Sequence, residues 1–96
     1  MVTRHMALEA RPERVGQVLT QRMPDALVLL DPSAGTYFSL DEVGARVWEL
    51  CDGTRTVSDV VAVLTDEFDA PTEIIRDDVA ELLGELAAES LVVGRS

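Results

Sequence analysis

Gly35-Thr36-Tyr37-Phe38-Ser39-Leu40-Asp41-Glu42-Val43-Gly44-Ala45-Arg46-Val47-Trp48-Glu49-Leu50 changes its period halfway along. Thr36-Tyr37-Phe38-Ser39-Leu40 is rich in β-branched and aromatic residues, which suit a pleated, half-buried surface, and reads as a strand. From there Leu40, Val43, Val47, Leu50 and Cys51 fall on one helical face. Ser39-Leu40-Asp41-Glu42 matches a capping box, and either Ser39 or Asp41 can cap the helix. Gly44 and Ala45 are small enough to admit another element, and Gly53 offers a C-terminal stop.

Upstream, Asp31-Pro32-Ser33-Ala34-Gly35 is turn chemistry: proline presets one φ and glycine supplies a positive one. The apolar run Ala26-Leu27-Val28-Leu29-Leu30 before it fits a buried strand, and a five-residue connection suits an antiparallel hairpin. Pro24-Asp25 marks a second turn, and residues 18–23 read as another strand. Residues 1–16 show no clean period, and with Pro12 and scattered charges they read as a loose arm.

Downstream, Thr56 with Asp59 signals a helix start, followed by Val57, Val60, Val61, Leu64 and Phe68 at helical spacing. Pro71 opens a third helix whose apolar stripe is Ile75, Val79, Leu82, Leu83 and Leu86. Leu91-Val92-Val93 is a terminal strand or a plug on the core. The expectation is a small α+β domain of winged-helix type over residues 17–96: a three-stranded antiparallel sheet followed by three helices.

The chain has 96 residues, room for one domain. A domain this small buries only about 60–65% of its unfolded surface, which leaves little for a deep catalytic cavity. Residues 1–40 carry four acids and four arginines, so the net charge of −10 resides in residues 41–96. Such a surface repels phosphate backbones and anionic lipid, and argues against nucleic acid and membrane as partners. It either solubilises the domain or steers a basic partner. The single cysteine, Cys51, allows no intrachain disulfide and no cysteine zinc cluster. The first residues lack a signal-peptide core and no apolar run approaches the length of a membrane span, so a cytoplasmic protein is expected. His5 and Cys51 have no partner motif, no phosphate loop is present, and neither catalysis nor a cofactor nor a metal is expected. Trp48 and Cys51 read as core residues.

The stretch from Gly35 to Leu50 resembles the signature of the PqqD-like family, with Asp41 where an asparagine is common. Asp52-Gly53, Arg55-Thr56-Val57, Glu67-Phe68-Asp69 and the leucine-rich third helix up to Leu91 continue the likeness, which covers roughly residues 18–93. The order and spacing of these pieces carry it rather than any one of them. The resemblance implies a recognition domain that binds the leader of a ribosomally made precursor peptide and presents the core to a tailoring enzyme, often a radical-SAM protein. It also implies strand addition: the leader lies beside the third strand and over the third helix.

That mode agrees with elementary chemistry, because an edge strand offers unpaired N–H and C=O groups to an extended peptide. The family motif puts Thr36, Tyr37 and Phe38 in the groove; helical periodicity adds Arg76, Val79, Ala80 and Leu83. Tyr37 and Phe38 are adjacent, so one enters the core and the other is free for a partner. Arg76, the only cation among six acids on its helix, reads first as half of an intrahelical ion pair, with a grip on an acidic leader as the weaker alternative. The same free edge could join two copies as a homodimer. Three rival readings have less support. An acyl carrier protein would need an aspartate before Ser39-Leu40, a DNA-binding helix would need the opposite charge, and a scaffold subunit without leader binding has no distinguishing motif.

Overall fold

A computed structural model describes residues 6–95. Residues 1–5 of the expected arm, His5 included, and Ser96 lie outside the described residues. The elements are β1 (Arg11–Arg14), β2 (Leu19–Met23), β3 (Ala26–Asp31), β4 (Thr36–Leu40), α1 (Glu42–Leu50), α2 (Val57–Phe68), α3 (Thr72–Ala88) and β5 (Val92–Arg95). The α+β reading holds: β2, β3 and β4 form an antiparallel sheet in that order, and three helices follow.

Turn chemistry sets the sheet register. Asp31 accepts hydrogen bonds from the Ser33 amide through its carboxylate (3.0 Å) and from the Gly35 amide through its carbonyl (2.9 Å). Gly35 supplies the positive φ of 70° that closes the turn. Leu29 then faces Phe38 and Leu27 faces Leu40, on the face toward the helices. The alternate row, Leu19–Leu30–Tyr37, lies on the outer face.

Asp41, not Ser39, caps α1, its carboxylate accepting from the Gly44 amide at 2.8 Å. Thr56 and Asp59 form a complete capping box at α2, both bonds 3.0 Å; such a cap contributes about 1 kcal/mol. The three helices and the inner sheet face enclose a core of Leu27, Leu29, Val47, Val60, Leu64, Leu83 and Leu86, with Trp48 and Cys51 inside it as expected.

The structure departs from the expected loose arm at residues 11–14. Arg11–Arg14 is a strand, β1, paired antiparallel with β5 as a second, two-stranded sheet. Pro12 is buried there, tolerated because a two-stranded ribbon consists only of edges. Further bonds fasten this segment to the α1–α2 connection and to α2 and α3: Gly53 N–H to Pro12 O (2.9 Å), Val57 N–H to Ala10 O (2.9 Å) and Met6 N–H to Ala80 O (3.3 Å). The Arg14 guanidinium donates to the carbonyls of Trp48 and Glu49 at the end of α1, where cations suit the helix dipole. Leu91-Val92-Val93 is resolved in favour of a strand: Ser90 takes a positive φ of 61°, Leu91 N–H closes on Leu86 O at 2.9 Å, and the chain turns into β5.

Candidate functional site

Among the described residues β4 is paired only on its β3 side, and its other edge is open. In an antiparallel strand every second residue directs both N–H and C=O toward that edge. Beside it lies a groove of about 520 Å³, bounded by Ser39 and Asp41 at the end of β4, by Val43, Gly44 and Val47 of α1, and by Phe68 and Ala70 leading into α3. Ile74, Ile75, Asp78, Val79, Glu81, Leu82 and Glu85 form the α3 wall. The floor is the buried core (Val47, Ile75, Val79), whereas Ile74 stands 57% exposed at the mouth.

The residues singled out from the sequence separate into two groups. Thr36, Tyr37 and Phe38 lie on the open-edged strand. Phe38 packs against the core and Tyr37, 74% exposed, stands on the outer face beside Leu30, which resolves the open choice between the two rings. The Thr36 hydroxyl is shut off from solvent and makes no hydrogen bond. On α3 only Val79 of the four chosen residues lines the groove. Leu83 is wholly buried in the core, and Ala80 is covered on the side where Met6 bonds to its carbonyl. Arg76 is not part of the groove lining, and its guanidinium lies 3.9 Å from the carboxylate of its neighbour Asp77. The open face of α3 is therefore the stripe 74-78-81-82-85, on the opposite flank of the apolar stripe from Arg76 and Ala80. Two signals pointed there: an isoleucine pair, Ile74-Ile75, too wide for one buried face, and carboxylates at 78, 81 and 85 along one helical line.

The other motif residues lie outside the groove lining and fix the helices and their connection. Arg46 on α1 donates two 2.8 Å hydrogen bonds to Glu67 on α2, and that bidentate pairing holds the Glu67 carboxyl below its ordinary range. Asp52 accepts from the Thr54 hydroxyl (2.7 Å) and amide (3.0 Å), which with Arg55 lowers its pKa to about 2. Gly53 follows at φ 83° with Glu13 against it, so a side chain there would be both strained and crowded. Asp69 ends α2 in the left-handed region, φ 50°. Among the described residues no cluster of three His, Cys, Asp or Glu could hold a metal ion, and no helix is long and apolar enough to cross a membrane.

A three-stranded sheet whose β4 edge is unpaired among the described residues, with an apolar groove beside it that a long helix closes, defines the chain as a small α+β domain. Residues 26–92 match the family model for coenzyme PQQ synthesis protein D, and the chain belongs to the PqqD family. A PqqA binding protein of Gluconobacter oxydans is 31% identical over 71 residues, covering 74% of this chain and 72% of that protein. TbiB1, solved in complex with the TbiA(β) leader peptide, superimposes with a TM-score of 0.75 at 28% identity, covering 88% of this chain and 98% of that one. The PqqD portion of Methylobacterium extorquens PqqCD, a stand-alone recognition element for ribosomally synthesised and modified peptides, gives a TM-score of 0.75 at 28% identity over 95% of this chain and 96% of that one.

Proposed function

We propose that this domain binds the leader segment of a precursor peptide as a fourth strand along β4 and presents the remainder to a tailoring enzyme of the same pathway, in the cytoplasm and without a catalytic step of its own. The observation that carries this reading is the open edge of β4 beside an apolar groove. Backbone pairing supplies affinity with little demand on sequence, and the groove supplies selectivity. An added strand would alternate its side chains. One set would enter the groove near Val79 and Leu82; the other would extend the outer row Leu19–Leu30–Tyr37 by one position, a cross-strand contact worth about 0.2–1 kcal/mol. Thr36, Tyr37 and Phe38 are the proposed strand contacts, and Ile74, Asp78, Val79 and Leu82 the proposed helix contacts. The relative that is a PqqA binding protein and the neighbour solved with a leader peptide support the same assignment.

The test uses proline at Thr36 and at Tyr37, with Tyr37→Ala as the side-chain control. Adjacent amides point to opposite edges, so one proline removes a ladder bond to β3 and the other removes only a donor at the open edge. Calorimetry with a synthetic PqqA-type leader peptide should show the second variant folded but unable to bind. Wild-type affinity in both folded proline variants would refute strand addition here.

A further inference from the structure

The groove's apolar floor has a rim of one charge sign. Asp41, Asp78, Glu81 and Glu85 line it, and among the described residues no cation does. Asp41 is engaged as the α1 cap, but among the described residues no ion pair or side-chain hydrogen bond reaches Asp78, Glu81 or Glu85. The described arginines are committed elsewhere: Arg14 to helix-end carbonyls, Arg22 and Arg46 to Glu49 and Glu67, Arg55 to Asp52, Arg76 beside Asp77 and Arg95 to Glu13; Arg11 has a partner as well. Spacings of three, four and seven residues place the α3 carboxylates on one face, where like charges repel. α3 also has no basic residue in its last turn, so Glu85 faces the negative end of the helix dipole without relief. Helix formation alone does not favour this arrangement. A cation arriving with the bound chain would reverse its sign, and the net charge of −10 would draw such a chain in from a distance.

We propose that the groove selects a basic peptide segment: one aliphatic or aromatic side chain seated against Val43, Val79 and Leu82, with Lys or Arg side chains on either side meeting Asp78, Glu81 and Glu85. This inference rests on the strand-addition reading and adds the chemistry of the strand. The probe is a randomised peptide library displayed on phage and selected against the wild-type domain. Recovered peptides should be enriched in Lys and Arg flanking an apolar position. Binding of one such peptide is then measured to D78N/E81Q/E85Q and to D66N/D77N/E89Q. The second triple removes the same charge from exposed positions that do not line the groove. The groove triple should lose affinity by roughly ten- to a hundredfold, since three exposed charge pairs each contribute a factor of roughly two to five; the control triple should lose about twofold or less. Removing like-charge repulsion should leave the groove triple at least as stable as wild type, which a thermal melt verifies. Peptides that protect β4 amides but show no basic enrichment, or equal losses in the two triples, would overturn the inference and leave strand addition standing. Recovery of no peptide that protects β4 would overturn both.

Discussion

Leu83→Ala and Ile74→Ala separate the buried line of α3 from its open flank, and the structure sets the size of each effect. Leu83 has 0% exposure and sits in the core with Leu64 and Leu86. Truncating it removes a wholly buried side chain and leaves a cavity, at a cost of about 2–5 kcal/mol. Each kcal/mol shifts the melting midpoint of a domain this size by roughly 4–8 °C, so a fall on the order of 10–30 °C is expected. Ile74 is 57% exposed, and its truncation should change stability by no more than about 0.5 kcal/mol. A peptide that covers the exposed part should gain about 1–1.5 kcal/mol there, taking about 1.5–3 kcal/mol for full burial. Losing it should weaken binding roughly five- to tenfold. Trp48, the single tryptophan and 5% exposed, reports unfolding by fluorescence, and calorimetry with a groove-binding peptide reports affinity. The reasoning fails if Leu83→Ala melts like wild type, or if Ile74→Ala binds as tightly as wild type while Arg76→Ala does not.

Three further outcomes follow from particular groups. Thr36→Val should raise the melting midpoint by several degrees, because a buried hydroxyl without a partner costs about 1–3 kcal/mol; a lower midpoint would show that the hydroxyl is bonded in solution. Burial pushes the Cys51 thiol up from an ordinary value near 9 to about 12. Below pH 9 both folded and unfolded thiols are protonated; between about 9 and 12 only the unfolded chain ionises, so stability should fall with rising pH across that window. Cys51→Ala should flatten that part of the pH profile, and a wild-type profile already flat there would contradict the burial argument. The open β4 edge should also support weak self-association that a bound peptide dissolves, seen by sedimentation over a concentration series; a strict monomer at high concentration would count against it.

What the sequence disclosed was local chemistry. The Asp31–Gly35 turn, the Thr56–Asp59 capping box and the strand-to-helix switch after Leu40 each depend on residues a few positions apart, and all are found in the structure. The β1–β5 ribbon was not legible, because Arg11 pairs with Arg95 across almost the whole chain and Arg-Pro-Glu-Arg shows no apolar alternation. The phase of α3 was half legible. Periodicity identified Ile75, Val79, Leu83 and Leu86 as its buried line but not which flank stays open. That depends on the N-terminal segment, whose Met6 occupies the Ala80 side and leaves Ile74, Asp78 and Leu82 facing β4.

Amide hydrogen exchange on the domain with and without a bound leader peptide tests strand addition most directly. β2 and β4 are both edges of the same sheet, so each serves as the control for the other. The outward-facing amides of Thr36–Leu40 should exchange quickly in the free domain and become strongly protected on binding, alternating along the strand, while the outer amides of Leu19–Met23 stay fast. Binding that protects β2, or that leaves every β4 amide as fast as before, would contradict the account.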